Sequence, residues 1–184
     1  MELYEESLRR HKKVLGLNHP YTLRTFDNLR SVYEAAGESD KYVAVMDEQL
    51  KVIRENFPAG SLEIAGVKAS MGEGLIKFDK LERAKTLLQE CLSVRTEKAP
   101  QVWTTFNTQS VLGSVHTSLE ELEKAAPLLN SGFEGLKKAE DKIPESIRKE
   151  RMKAAIERLI EFSKASQDDK GAKKWEQELK GFDS

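Results

Sequence analysis

Apolar side chains in the first fifteen residues return mostly every three or four positions. Leu3, Tyr4, Leu8, His11, Val14 and Leu15 share one side, while Glu5, Glu6, Arg9, Arg10, Lys12 and Lys13 fill the other. This spacing predicts an amphipathic helix, because 3.6 residues per turn bring such positions onto one face. Gly16 and the turn Asn18-His19-Pro20 end it, since glycine and proline punctuate helices. The same alternation of periodic stretch and breaker runs on along the chain. It predicts helices over 2–15, 20–36, 40–56, 60–78, 81–97, 101–118, 121–139, 145–166 and 169–181.

The stretches repeat. Leu8, Leu50 and Leu92 stand 42 residues apart and Phe133 follows after 41; Leu29, Met71 and Leu112 keep the same steps, as do Tyr42, Ala84 and Ala125, continued by Ala172 after 47. Pro20, Pro58, Pro100 and Pro144 mark the joints, where proline is tolerated at a helix start. The extra residues of the last interval fit a longer connection at 139–144. Pro127 falls inside a predicted helix and should kink it or delay its start. Each unit reads as a helix A, a short turn, a helix B and a proline-containing link. The fold class predicted is all-α, a right-handed superhelix of antiparallel helix pairs, in which each pair hides its apolar stripe against the next. The frame divides into a helix B of an incomplete repeat at 1–16, repeats at 19–57, 59–98 and 100–140, and a fourth, capping repeat at 144–181. Gly72 and Gly113 share one repeat position; a mid-helix glycine costs about 1 kcal/mol against alanine, so the pair predicts close helix contact.

These residues resemble the tetratricopeptide repeat in its longer, kinesin-light-chain-like form. Met71-Gly72 and Leu112-Gly113 match its Leu-Gly pair, Ala84, Ala125 and Ala172 its helix B alanine, and the run from Val14 to Leu23 its inter-repeat link. Tyr42 departs from that alanine, and Asp79, Glu120 and Gln167 stand where the pattern has a turn glycine. Trp103–Gly113, Ala125–Leu129 and Gly132–Leu136 are similar to the C-terminal repeats of large planctomycete-type bacterial serine/threonine kinases. The resemblance implies a regulatory or targeting segment of such a protein. No glycine-rich phosphate loop, His-Arg-Asp or Asp-Phe-Gly motif occurs in the sequence, so the segment itself is expected to be non-catalytic.

Composition narrows the partners. Thirty basic against 31 acidic residues give a net charge of −1, without the basic surplus that phosphate-backbone binding favours, so no nucleic acid is expected. No apolar run is long enough for a membrane helix, the N-terminus does not read as a signal peptide, and a single cysteine suits a reducing compartment. Cytoplasmic placement is expected.

The reactive side chains read as structure. Cys91 lies between Leu88 and Leu92 on an apolar side and is expected to be a buried thiol. His11, His19 and His116 lack zinc-ligand spacing, so no metal is expected; His19 is expected to cap the link and His116 to pack half-buried. Arg9–Lys13 and Arg148–Lys153 read as solvated mixed faces. Asp168-Asp169 reads as a helix start, lacking the closing glutamate of a calcium loop, and Gly72-Glu73-Gly74 is not a phosphate loop, having no strand before it. No catalytic residue and no cofactor is expected.

In tetratricopeptide arrays the A helices line the concave face, and the resemblance implies that function sits there. The inward positions are Arg24, Asp27, Asn28 and Ser31, then Gly66, Ala69, Glu73 and Ile76, then Asn107, Ser110, Ser114 and Thr117. The partner-binding residues expected are Arg24, Asp27, Asn28, Ser31, Glu73, Asn107, Ser110 and Ser114, because Asn and Ser can satisfy the N–H and C=O groups of an extended peptide. A protein or peptide ligand is thus the expected partner. The rival reading is a structural spacer or oligomerisation module, with a homodimer formed through the incomplete first repeat.

Overall fold

A computed structural model describes residues 2–58 and 60–182. Among them lie nine α-helices: α1 Glu2–Val14, α2 Pro20–Ala35, α3 Ser39–Asn56, α4 Leu62–Lys77, α5 Leu81–Lys98, α6 Trp103–Ser118, α7 Leu122–Lys138, α8 Glu145–Ala165 and α9 Asp169–Gly181. A single 3₁₀ turn, Glu140–Lys142, fills the longer connection, and Ile143 after it is buried. No helix among the described residues is long and apolar enough to cross a membrane.

Four turns from helix A to helix B share one construction. Gly37, Asp79, Glu120 and Gln167 take left-handed backbone with φ of 72°, 55°, 59° and 58°. At each, the next residue's N–H reaches the carbonyl five residues back, as Glu38 to Tyr33, Lys80 to Leu75, Glu121 to His116 and Asp168 to Ser163. This Schellman closure satisfies end carbonyls that the helix cannot. Three non-glycine residues therefore hold the turn at a cost of about 1 kcal/mol each.

The chain forms two compact units, residues 1–64 and 65–184. In the first, Leu8 of α1, Phe26, Leu29 and Tyr33 of α2 and Tyr42, Met46, Leu50 and Ile53 of α3 are buried. Polar contacts tie α1 down: His11 Nδ1 lies 2.9 Å from Thr25 Oγ1, and Lys12 pairs with Glu48 at 2.6 Å. The Tyr33 hydroxyl donates to Glu5 at 2.7 Å. Burial, then that carboxylate, pushes the Tyr33 phenol up to about 12. His19 caps α2, its Nδ1 accepting from the Tyr21 N–H.

In the second unit the core runs through Ala125, Leu129, Phe133, Leu136, Met152, Ala155, Ile156 and Leu159. The glycine expectation is met. A Cβ on Gly72 would lie 2.8 Å from Leu88 Cγ, and one on Gly113 2.7 Å from Leu129 Cγ. Gly132 is as tight and faces backbone, its Cβ meeting the N of Ser110 at 2.7 Å and the Phe106 carbonyl at 2.9 Å. Pro127 does not delay its helix: α7 starts five residues earlier and runs through it. The carbonyl it leaves unbonded belongs to Glu123, an exposed residue, so water can serve it.

Candidate functional site

The eight expected contact residues divide between the two units, and burial sorts them. On α2, Arg24, Asn28 and Ser31 are exposed, and the Ser31 hydroxyl donates to the Asp27 carbonyl of its own helix at 3.1 Å. Asp27 is already engaged, although its side chain stays 46 % exposed. Its Oδ1 accepts from Arg30 Nη2 at 2.7 Å and from Gln49 Nε2 at 2.9 Å, while Arg30 Nε donates to Gln49 Oε1 at 2.9 Å. Arg30 is only 3 % exposed and its guanidinium stands over the Tyr42 ring. Tyr42, large where the repeat has alanine, thus serves as the wall of a buried charged group.

The second unit gathers Glu73 of α4, Asn107 of α6 and Arg151 of α8 around one cleft of about 230 Å³, lined also by Gly66, Ala69, Arg95, Trp103 and Thr104. Glu73 sits between two partners, Asn107 Nδ2 donating to Oε1 at 3.4 Å and Arg151 Nη1 to Oε2 at 3.4 Å. Both contacts exceed the 2.7–2.9 Å usual for charge-assisted hydrogen bonds. Asn107 Oδ1 and Arg151 Nε are buried and make no hydrogen bond. Arg95 is anchored, with Nη1 donating to the Thr104 carbonyl at 2.9 Å and to Thr108 Oγ1 at 2.5 Å.

Ser110 and Ser114 play other parts. Ser110 is fully buried and accepts from Arg158 Nη1 at 3.2 Å, so it supports an arginine and does not face solvent. Ser114 is half-buried, its hydroxyl donating to the Val111 carbonyl at 2.8 Å. Burial, reinforced by the charge of Arg151, makes Arg158 a weaker base than an ordinary arginine.

The arginines are what the sequence reading missed. Arg151 was expected on a solvated face, yet its side chain is 27 % exposed and reaches Glu73, 78 positions away in sequence. Arg95 belongs to a helix B, so a rule assigning ligand contact to A helices passes over it. The only available signal was the seven-residue step from Arg151 to Arg158, which places both on one face of α8.

Other reactive groups are placed as structure. Cys91 is buried, its Sγ 3.8 Å from Thr108 Oγ1, and burial pushes its thiol above the usual range, which disfavours a nucleophile. His116 is 3 % exposed, more buried than expected, with Nδ1 on Glu121 Oε2. Asp168 caps α9 by accepting from the Gly171 N–H at 3.0 Å. Among the described residues no group of three or more His, Cys, Asp or Glu side chains could hold a metal ion.

Comparison with known proteins agrees with this architecture. Residues 1–21 match the model of the tetratricopeptide repeat. No curated protein matches the sequence. Among solved structures, BtubC (BKLC) from P. vanneervenii aligns with a TM-score of 0.79 at 19 % identity, over 98 % of this chain and 70 % of that one. A Podosopora anserina chain described by its kinesin light chain resemblance and nearly identical TPR-like repeats aligns in two crystal structures. The TM-scores are 0.79 and 0.76 at 15 % identity, over 98 % and 99 % of this chain and 84 % of that one. At such identities the likeness shows the fold: an all-α helical repeat of the tetratricopeptide type, like that of kinesin-light-chain-like repeat proteins.

Proposed function

We propose that this chain is a protein-interaction scaffold whose A helices receive an extended peptide of a partner protein. The tetratricopeptide-type repeat is in general a non-catalytic scaffold for protein partners. The observation that carries the finer reading is the cleft of the second unit, where three successive A helices turn polar side chains toward one opening and leave two polar atoms unpaired. Unpaired buried groups cost about 1–3 kcal/mol each, so a ligand that completes them is favoured. The exposed Arg24, Asn28 and Ser31 of α2 supply a second polar A-helix face.

The test is a double substitution, Arg24→Ala with Asn28→Ala, assayed for partner capture and thermal stability. The expected result is an unchanged melting temperature with weakened capture; undiminished capture removes α2 from the binding face. The setting in a larger bacterial signalling kinase rests on the resemblance of Trp103–Leu136 alone, and none of the three structural neighbours is named as a kinase. Reading the complete gene decides that setting. Cytoplasmic placement fits the single cysteine and would be read by fractionation.

A second reading, the homodimer, is favoured by Leu3 and Val14 of α1 and by Tyr21, which are 85 %, 77 % and 62 % exposed. Light scattering separates the two: a monomer at high concentration overturns the dimer.

A further inference from the structure

We propose that the cleft among α4, α6 and α8 binds a phosphorylated side chain of the partner peptide, with Glu73 an internal carboxylate that the phosphate displaces. The proposal rests on the A helices being the ligand side, and it names the chemistry they read.

Charge comes first. Arg95 and Arg151 line the cleft; Arg158, which does not line it, has Glu73 and Arg151 among its charged neighbours. Two guanidinium groups line the cleft with one carboxylate, a surplus of one positive charge. Arg158 takes a serine hydroxyl as hydrogen-bond partner. Its other acidic neighbours, Glu157 and Glu161, are exposed on its own helix, where water screens them.

Geometry then selects among anions. Glu73 already offers a carboxylate, and at 3.4 Å from both Asn107 and Arg151 it satisfies neither well. A ligand carboxylate would exchange like for like and still lose the entropy of binding. A phosphoryl group brings about −1.5 to −2 charges and three strong acceptor oxygens, enough to match the two lining arginines once Glu73 is displaced and to offer an acceptor to the unpartnered Arg151 Nε. Arginine forks suit phosphate better than point-charged lysines do. The mouth is open at Gly66, where even an added Cβ would come no nearer than 3.9 Å to Arg95 Nη2. Recognition here is by side-chain guanidinium groups, not by a glycine-rich backbone loop.

The experiment titrates the full chain with N-acetyl-phosphoserine N-methylamide, following heat and the Trp103 indole N–H resonance. Saturable one-to-one binding is expected, at least about tenfold tighter than for the glutamate analogue. It should weaken between pH 7 and 5, because the second phosphate ionisation lies near pH 6. Arg151→Gln should abolish the Trp103 shift and Glu73→Gln should tighten binding several-fold. The proposal is overturned by no saturable binding, by equal affinity for the glutamate analogue, or by a folded Arg151→Gln that binds unchanged. Should Arg151→Gln fail to fold, Glu73→Gln decides: tighter binding supports the proposal, and unchanged or weaker binding overturns it. A probe that fails to bind while the partner is still captured sinks this inference and spares the scaffold reading.

Discussion

The two compact units solve the same local problem differently. Each places an acidic residue of an A helix against an arginine and a side-chain amide. In residues 1–64 the set is closed: Asp27, Arg30 and Gln49 meet at 2.7 and 2.9 Å and Tyr42 covers the guanidinium. In residues 65–184 it is open: Glu73, Asn107 and Arg151 meet only at 3.4 Å beside a cleft, and two polar atoms lack partners. The difference teaches that an acid–arginine–amide constellation on such helices is structural when satisfied and a candidate site when not. Buried polar groups left half-paired are costly, and a chain retains that cost where something else uses the groups.

The comparison can be broken most forcefully in the closed set. Arg30→Ala should destabilise the chain by about 1.5–3 kcal/mol, because it removes a buried guanidinium and leaves the buried Gln49 Oε1 without its charged donor. Arg151→Gln should cost about 1 kcal/mol or less, as befits a long, partly exposed pair. Chemical denaturation measures both, and equal costs would erase the distinction. Next in size is Gly132→Ala, expected to cost about 1–3 kcal/mol, since its new methyl would meet α6 backbone at 2.7 Å and force α6, which carries Asn107, to shift. An unmoved denaturation midpoint would contradict the packing.

A smaller effect should go the other way. Gln167→Gly should stabilise by about 0.5 kcal/mol, because glycine takes φ of 58° freely but gains unfolded-state entropy; a melting temperature that falls would refute it. The last test uses pH. His116, then Lys124, hold the Glu121 carboxyl down to about 2 from its ordinary 4.5. A carboxyl depressed in the folded state stabilises fully above its unfolded value, and that contribution fades as pH falls from 4.5 toward 2. The melting-temperature gap between the parent chain and Glu121→Gln should therefore narrow across that window, and a constant gap would show that the contact contributes nothing.

Much of the architecture was legible in the sequence, and particular residues show why. The spacing of Met71-Gly72 and Leu112-Gly113 announced close helix contacts that the Leu88 and Leu129 side chains now fill. Asp79, Glu120 and Gln167 stood in the glycine position of the repeat, and all three adopt left-handed backbone. The candidate site was legible only in part. Glu73 and Asn107, expected through the repeat frame, line one cleft, Asn107 being only 6 % exposed; Ser110 is buried, Asp27 is engaged, and Arg95 and Arg151 were passed over.

Helices, turns and their repetition are local matters: which face is apolar, where a chain can turn and where a side chain must be small depend on residues within a few positions of one another. The sequence alone determined these. Which charges are satisfied depends on residues such as Glu73 and Arg151, 78 positions apart, brought together by the stacking of three helices. Only the tertiary structure decided that, because electrostatic pairing at these distances changes from bond to loose contact within less than an ångström.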